Sequence, residues 1–266
     1  SEQVMYVWFD ALVNYISTLG WPNERGDFEK YWLNGTQVQY CGKNNTRFQG
    51  LMWQAMLMAA GIAPTRKIIV DGFILGDGGV KMSKTLGNTV DPLDIINDYG
   101  TDGLRYFVLR EFHPFEDSGV SESKLTEWYN ASLANGLGNL TSRVMKMATG
   151  NGVKFDEKVA QEVEKSQEVI AAQEEYEKGF EGFNLQQASN AVWGLISKAD
   201  AVVQEREPFK KIKTDKAGAR RDIAELLAYL MIIGEMLQPI IPGTAKIIVG
   251  LVKEGKMPEK PLFGRK

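Results

Sequence analysis

Two lysines and two hydroxyl residues lie on a glycine-rich stretch, GDGGVKMSKTLGN, at residues 76–88. Three glycines precede Lys81, and Gly87 follows Thr85 closely. Ammonium groups and backbone N–H groups together surround phosphates well, and glycine lets the backbone come close to them. The stretch lacks the GxxxxGK[ST] pattern of a P-loop. Its composition alone leaves two interpretations open, a phosphate-binding loop and a basic surface turn.

The sequence on the N-terminal side of this loop predicts elements that position it. β-branched and aromatic residues dominate three stretches, which are expected to be strands, and amphipathic stretches separate them. The predicted order is strand 4–9, helix 11–20, strand 36–42, helix 45–61 and strand 66–75. This alternation is typical of parallel strands joined by crossover helices, the α/β class. Asp10 is expected to cap the first helix, and so small a sheet is expected to be incomplete.

The pattern changes after Pro92, where short helices are predicted, and nearly everything beyond residue 120 has helical period. Long amphipathic helices are expected over residues 121–149, 157–179, 185–206 and 216–253, with linkers at 149–155 and 207–218. The sequence therefore predicts an α/β domain at residues 1–120 and an all-α domain at residues 121–266.

Composition excludes several classes of protein. The 266 residues have a net charge of -3, with 44% hydrophobic and 24% charged residues, which is ordinary for a globular protein. No run of about 18 apolar residues occurs, so we expect no membrane span. Cys41 and His113 are the single cysteine and the single histidine, too few for an internal disulfide or a zinc site. We therefore expect a cytoplasmic protein, with Cys41 as a small buried side chain.

The string KMSKT resembles the KMSKS signature of class I aminoacyl-tRNA synthetases. Further segments, in consistent order along nearly the whole chain, resemble methionyl-tRNA synthetases: YVWFDALVNY, GKNNTRF, GFILGDGGVKMSKTLGNTVDP, YGTDGLRYFVLRE, LANGLGNLTSRV, EREPF and PLFGRK. The resemblance implies the C-terminal half of a Rossmann-like class I synthetase catalytic domain over residues 1–120. A helical-bundle anticodon-binding domain would follow over residues 121–266.

The resemblance also implies a reaction, ATP-dependent activation of methionine and its transfer to methionine tRNA. ATP would enter as its Mg²⁺ complex, and no metal site is expected within this chain. Lys81 and Lys84 would be catalytic, by stabilising charge on the triphosphate. The residues expected to contact ATP are Gly42, Asn44, Lys81, Met82, Ser83, Lys84 and Thr85. Asn44 stands where the family motif G-K-D has aspartate, so it retains a hydrogen-bonding group but no charge.

Four residues match the family's methionine pocket: Trp8, Ala11, Tyr15 and Gln49. Ala11 and Tyr15 are four apart, which places them on one face of a helix, and aromatic walls suit a polarizable thioether. The alternative is that Trp8 and Tyr15 are ordinary core aromatics. Gln49 stands where many relatives have histidine, and Asp71 likewise replaces a histidine.

A helix at NGLGNLTSRVMKM is expected to bury Leu137, Leu140, Val144 and Met147 on one face. Asn139 and Arg143 lie on the other face, and they match the family's anticodon-reading pair. Phe209, where the family usually has tryptophan, would stack an anticodon base. From periodicity alone a solvated helix face is the favoured interpretation, and the resemblance reverses it. Lys210, Lys211, Lys213 and Lys216 follow as a cluster that either contacts RNA phosphates or forms a solvated loop.

The family's HIGH motif, first half-sheet and zinc-bearing insertion are expected to lie before residue 1. A missing N-terminal half of the synthetase is thus an expected partner, and the chain alone is expected to be inactive in adenylate formation. The alternative function is a non-catalytic tRNA-binding module derived from a synthetase.

Overall fold

The computed structural model describes residues 2–23, 26–83 and 89–266. The chain divides into two compact units. Unit 1 comprises Ser1–Phe73 and Phe115–Asp117, and unit 2 comprises Ile74–Pro114 and Ser118–Lys266. The predicted boundary between residues 120 and 121 lies inside unit 2, and as a division between domains it stays a prediction.

Unit 1 combines short helices with one pair of strands. Its elements are α1 (Val7–Ala11), α2 (Asn14–Ser17), α3 (Phe28–Leu33), β1 (Val38–Gly42), α4 (Arg47–Met52 continuing into Trp53–Ala59) and β2 (Lys67–Asp71). β1 and β2 pair in parallel from Val38↔Lys67 to Gly42↔Asp71. Because α4 lies between them in sequence, the predicted crossover connection is confirmed.

The first predicted strand, residues 4–9, is wrong. Val7–Ala11 forms α1, and the residues before it belong to no strand, with Val4 93% exposed. β-branched and aromatic residues favour strands because their side chains pack well against neighbouring strands, not because of an intrinsic backbone preference. A run of such residues therefore does not form a strand by itself. Asp10 lies inside α1, so its predicted capping role is also wrong; the N-cap is Tyr6, with no side-chain cap bond.

Two other predictions for unit 1 hold only in part. A tighter turn at Leu12 and Val13 interrupts the helix predicted over 11–20. The strand predicted over 66–75 ends at Asp71, and Ile74–Leu75 forms a separate strand, β3, in unit 2. Among the described residues, the α/β part thus contains strand pairs rather than one three-stranded sheet.

The core of unit 1 is aromatic and small. Its buried residues are Leu12, Ile16, Phe28, Trp32, Phe48, Trp53, Leu57 and Ile62. Trp32 and Trp53 meet edge to face with ring centroids 6.0 Å apart, an arrangement that favours aromatic pairs. These residues bring α2, α3 and α4 together.

Unit 2 is almost entirely helical. Its helices are α5 (Pro92–Tyr106 continuing into Phe107–Glu111), α6 (Glu122–Trp128 continuing through Tyr129–Gly138 and Asn139–Gly150), α7 (Glu157–Glu164), α8 (Gln167–Glu181), α9 (Leu185–Arg206), α10 (Pro208–Lys211), α11 (Lys216–Met236) and α12 (Pro242–Glu254). β3 pairs in parallel with β4 (Ser118–Gly119). The helical prediction is confirmed, apart from two breaks inside predicted helices.

The two breaks have local causes. Ser166 accepts a hydrogen bond from the N–H of Val169 and so begins α8 as an N-cap. Pro242 begins α12 at its first turn, the helical position that proline favours. The stretches 157–179 and 216–253 are therefore two helices each.

The core of unit 2 runs through all its long helices. Leu137, Leu140, Val144 and Met147 are buried in it, as the helical period of α6 predicts. Two polar residues of α5 fix the turn that leads into α12. The Asp102 carboxylate accepts from the backbone N–H and the hydroxyl of Thr244, at 2.5 and 2.7 Å. Arg105 donates to the carbonyls of Pro239 and Ile240 at 2.6 and 2.7 Å.

Candidate functional site

The loop of the sequence signature begins on a tight turn. The N–H of Gly76 donates to the carbonyl of Val80 at 2.8 Å, and Lys81 pairs with Leu75 across the turn. Gly78 and Gly79 have φ of 70 and 74, a left-handed backbone that favours glycine. The sequence thus has glycine where the turn requires it.

The residues after the turn differ in exposure. Lys81 is exposed, whereas Met82 and Ser83 are half-buried, and Met82 packs against the core of unit 2. This packing fixes the base of the loop beside β3. Lys84 and Thr85, predicted to be catalytic and ATP-binding respectively, lie outside the described residues. The roles predicted for Lys81, Met82 and Ser83 stay predictions.

Gly42 and Asn44 lie at the carboxyl end of β1, in unit 1. Gly42 is the last residue of the strand, and Lys43–Asn45 forms a single helical turn that leaves Asn44 exposed. In open α/β sheets, ligands bind outside the carboxyl ends of the parallel strands. The predicted nucleotide contacts of Gly42 and Asn44 are compatible with this position.

The end of β2 is also polar, because Asp71 lies opposite Gly42 in the parallel pair. Burial raises the pKa of the Asp71 carboxyl above its usual value. Burial, and in second place the charge of Asp71, also raises the pKa of the Cys41 thiol. Cys41 is buried, as predicted, and remains a neutral thiol at neutral pH.

Hydrogen bonds and ring contacts connect three of the four predicted methionine-pocket residues. Trp8 stacks on Phe48, with ring centroids 4.5 Å apart and planes 15° from parallel. The next residue, Gln49, is buried and donates from Nε2 to the Tyr15 hydroxyl at 2.7 Å. Ala11 is exposed at the end of α1. The structure thus joins Tyr15 to Gln49 directly and Trp8 to the same helix through Phe48.

A chain of amides, which the sequence did not reveal, holds Gln49 in place. Gln39 on β1 is buried and donates to the Gln49 side-chain oxygen at 3.1 Å. The Thr65 hydroxyl donates to Gln39 at 2.7 Å, and Gln54 Nε2 donates to the Gln49 carbonyl at 2.7 Å. Buried polar groups need such partners. The network fixes the orientation of the Gln49 amide, and an inward-facing glutamine in the alternating strand TQVQYCG was the only sequence signal.

Trp53 extends the same aromatic surface. Its ring lies 5.8 Å from that of Tyr15, and its buried Nε1 has no hydrogen-bond partner among the described residues. A buried N–H without a partner is costly. Within the part of the chain that the structure describes, Trp53 thus carries an unsatisfied donor inside the aromatic core of unit 1.

Two apolar clefts open on unit 1. One has a volume of about 660 Å³ and is lined mainly by Tyr6, Phe9, Phe48, Leu51, Met52 and Met56, and also by Arg47. The other, of about 340 Å³, shares Phe9 and Met56 and extends to Trp21 and Trp53. Phe9 and Leu51, which line the first cleft, are exposed, at 60% and 72%. We call this surface the apolar face of unit 1.

The residues predicted to read the anticodon lie in unit 2. Asn139 is exposed on α6, and one turn later the Arg143 guanidinium pairs with Asp200 of α9 at 2.8 Å. Phe209 is 43% exposed on α10, next to a left-handed residue, Glu207, with φ of 41. Arg143 has five N–H donors, so its pair with Asp200 orients it without using all of them.

The lysine cluster after Phe209 has two kinds of member. Lys211 pairs with the buried Asp222 at 2.8 Å and is therefore part of the packing of α11, whereas RNA contact by this cluster stays a prediction. The Asp222 carboxylate also forms an ion pair with Arg206. Removing either partner of such a buried carboxylate lowers the stability of the fold. Lys210 pairs with Glu207 at 2.5 Å on the surface, and Lys213 and Lys216 are exposed.

The described ranges hold neither a cluster of three or more His, Cys, Asp or Glu side chains suited to a metal ion nor a helix long and apolar enough to cross a membrane.

Two family models match the chain in succession. Residues 1–145 match the model described as tRNA synthetases class I (M), and residues 153–260 match the anticodon binding domain of methionyl tRNA ligase. The first match alone covers more than half of the 266 residues.

Curated relatives named methionine–tRNA ligase are similar over most of the chain. The one from Mesorhizobium japonicum is 34% identical over 255 residues, which are 94% of this chain and 49% of the relative. The one from Caldanaerobacter subterraneus subsp. tengcongensis is 38% identical over 253 residues, 92% of this chain and 39% of the relative. The chain thus spans half or less of the length of these relatives.

Solved structures of Mycobacterium tuberculosis methionyl-tRNA synthetase have the same fold. The complex with methionyl-adenylate superposes with a TM-score of 0.81 at 28% identity, over 98% of this chain and 54% of that one. The free form has a TM-score of 0.81 at 26% identity, over 99% and 56%. The predicted fold class, part of a Rossmann-like catalytic domain followed by a helical anticodon-binding domain, is confirmed. The chain belongs to the methionyl-tRNA synthetases of the class I tRNA synthetase family.

Proposed function

We propose that this chain supplies the KMSKT loop, part of the methionine pocket and the anticodon-binding domain of a methionine–tRNA ligase. The observation that carries the proposal is the ordered match of nearly the whole chain to relatives of that name. The same residue order places the signature loop directly after β3 and the anticodon-binding match at residues 153–260.

In the proposed reaction, a methionine carboxylate oxygen attacks the α-phosphorus of ATP, which enters as its Mg²⁺ complex. The bond from that phosphorus to the bridging oxygen breaks, and pyrophosphate leaves with the electron pair. Lys81 and Lys84 stabilise the negative charge on the triphosphate while the bond exchange occurs. Gly42 and Asn44 hold the nucleoside from the strand end. A hydroxyl of the terminal tRNA adenosine then attacks the methionyl carbonyl carbon, and AMP leaves.

The methionine side chain is proposed to lie against Trp8 and Tyr15. An aromatic surface attracts the polarizable thioether sulfur. Gln49 holds the Tyr15 hydroxyl at 2.7 Å and so keeps that ring in place. Ala11, which has no bulky side chain, leaves space for the thioether chain.

We further propose that the polypeptide corresponding to the other half of these relatives covers the apolar face of unit 1. Parallel strands normally lie in sheets with both faces covered. β1 and β2 pair only with each other among the described residues, and the exposed Phe9 and Leu51 lie beside an apolar cleft. Adenylate formation then requires both halves. The buried, free Cys41 supports a cytoplasmic setting for the enzyme.

A second candidate, a non-catalytic tRNA-binding module, is favoured by Asn44, Gln49 and Asp71, which replace residues common in the family. ATP–pyrophosphate exchange distinguishes the two functions. We expect the chain alone to give none, and the chain expressed with the N-terminal half of the Caldanaerobacter relative to give exchange. Absence of exchange from the pair, with tRNA binding retained, would favour the second candidate.

Binding to methionine tRNA tests the anticodon site directly. The comparison is with the same tRNA carrying one changed anticodon base, at fixed salt. One wrong base costs about 1–3 kcal/mol in nucleic-acid readout, so we expect at least about a fivefold preference. Equal affinities would contradict the roles proposed for Asn139, Arg143 and Phe209.

A further inference from the structure

Asp117 reaches the carboxyl ends of both strands of unit 1. Its Oδ1 accepts from Lys43 Nζ at 2.5 Å and from the backbone N–H of Phe73 at 2.9 Å. Lys43 directly follows β1, and Phe73 lies two residues after β2. One carboxylate thus joins the two segments at the edge where ligands of open α/β sheets bind.

The segment that carries Asp117 packs tightly on the same edge. A Cβ built on Gly72 would lie 1.9 Å from the carbonyl oxygen of Glu116 and 3.0 Å from the nitrogen of Asp117. No side chain fits there unless backbone moves. The Lys43 ammonium also lies 5.8 Å from the centroid of the Phe73 ring. Close packing and polar contacts therefore hold Phe115–Asp117 at one place.

Two roles for Lys43 are consistent with its position after β1. A lysine in the string GKNN, beside the proposed nucleotide contact Asn44, has the chemistry of a phosphate ligand. In the structure its ammonium is engaged by Asp117 instead. An ammonium has three donors, and the kinetic experiment below distinguishes the two roles.

We propose that Lys43 and Asp117 are positioning residues that act as a pair, holding the turn with Asn44 and the backbone at Phe73 in the arrangement the nucleotide requires. Neither contacts the nucleotide. The Lys43 contact and the Phe73 N–H hold the pKa of the Asp117 carboxyl below its usual range, so this carboxylate stays charged at neutral pH. The functional part of this inference rests on the proposed ligase activity, whereas its structural part does not.

Amide hydrogen exchange at Phe73, measured on the chain itself, tests the structural part. Asp117→Ala removes the acceptor, and we expect exchange at Phe73 to accelerate by about tenfold, the scale of one hydrogen bond to a charged group. Asp117→Asn keeps an acceptor oxygen and is expected to accelerate it by less than about threefold. Glu29→Gln removes an exposed carboxylate from α3 of the same unit and serves as the control. Unchanged exchange at Phe73 in Asp117→Ala would overturn the pairing.

The two roles of Lys43 give opposite patterns in ATP–pyrophosphate exchange by the paired halves. If Lys43 and Asp117 position the turn, Lys43→Gln and Asp117→Asn raise KM for ATP by the same factor, about two- to fivefold for an exposed ion pair. The double variant is then no worse than either single one, and kcat is unchanged. If Lys43 is a phosphate ligand, Lys43→Gln raises KM for ATP and Asp117→Asn does not. That pattern would overturn the proposal.

Failure of the proposed ligase function has a different signature. In that case the unchanged chain gives no pyrophosphate exchange with its partner half, while the Phe73 amide still responds to Asp117→Ala. Charge reversal of both residues supplies a last check. In the double variant Lys43→Asp/Asp117→Lys, the side chain at 117 cannot accept from Phe73, so exchange at Phe73 is expected to stay fast; restored protection would overturn the role of the carboxylate.

Discussion

Unit 1 and unit 2 bury their apolar residues to different extents. In unit 2 the side chains of Leu133, Val144 and Leu226 are fully buried, whereas in unit 1 Val4 and Leu51 are mostly exposed. Packed helices bury their apolar stripes against each other, but a parallel strand pair needs neighbouring strands and covered faces. In unit 2 the helices thus cover most of each other's apolar surface. The α/β unit leaves several large apolar side chains exposed.

The largest expected effect comes from comparing the same substitution, leucine to alanine, at one site in each unit. Leu133→Ala in α6 creates a cavity in a fully buried site, and we expect it to lower the free energy of unfolding by about 2–5 kcal/mol. Leu51→Ala changes an exposed side chain of α4 and is expected to stay within about 0.5 kcal/mol. Urea unfolding followed by circular dichroism measures both. Equal losses would mean that the apolar face of unit 1 is covered in solution.

The buried amide network of unit 1 gives the next effect. Gln49→Ala leaves Gln39 and the Tyr15 hydroxyl without their partner, and a buried polar group left unpaired costs about 1–3 kcal/mol. We expect a lower midpoint of thermal unfolding, followed by tryptophan fluorescence. Gln204→Ala, at an exposed site of α9, is the matched control and should leave the midpoint within error. A neutral Gln49→Ala would show that the network does not stabilise unit 1.

The next prediction tests the role of Arg143, on α6 of unit 2, in anticodon recognition. Arg143→Ala is expected to remove most of the anticodon preference, a loss of at least about fivefold, within the range for one specific base contact. Arg221→Ala removes an exposed guanidinium of α11 and serves as the control. It should change the affinity for matching and altered tRNA by the same factor. The measurement is Kd for matching and altered tRNA. A uniform loss in Arg143→Ala would instead assign it to phosphate contact.

The smallest effects come from exposed ion pairs, one in each unit. Hydrogen bonding to Lys43, then to the Phe73 N–H, lowers the pKa of Asp117, and hydrogen bonding to Lys198 lowers that of Glu168. Because the folded-state pKa is lowered, each contribution is present above the ordinary carboxyl pKa. It is lost as pH falls through the lowered value.

Titration of the carboxyl carbons by NMR checks this pH dependence. We expect midpoints below the usual values of about 3.9 for aspartate and about 4.3 for glutamate. Lys43→Gln should raise the titration midpoint of Asp117 and leave that of Glu168 unchanged. Lys198→Gln should raise the midpoint of Glu168 and leave that of Asp117 unchanged. Unchanged midpoints in these variants would contradict the assigned cause.

The sequence predicted unit 2 better than unit 1, because helical period is a local signal. Leu137, Leu140 and Val144 repeat at helical spacing and are buried accordingly. The two missed breaks were visible as Ser166 and Pro242, which both favour helix starts. By contrast, residues 4–9 have the composition of a strand, yet among the described residues no strand pairs with them.

The candidate site was predictable as a set of residue types and not as contacts. Family resemblance named Tyr15 and Gln49, but their hydrogen bond joins residues 34 positions apart. The Lys43–Asp117 pair spans 74 positions, and no periodicity connects them. Side-chain contacts of this kind depend on how loops cross a sheet edge, which composition does not specify.

The close approach at Gly72 restricts which residues can stand at this position. A relative with any larger residue at this position must lead Phe115–Asp117 along another path, since a Cβ would overlap the Glu116 carbonyl. The two places, more than 40 residues apart in sequence, should therefore change together across an alignment.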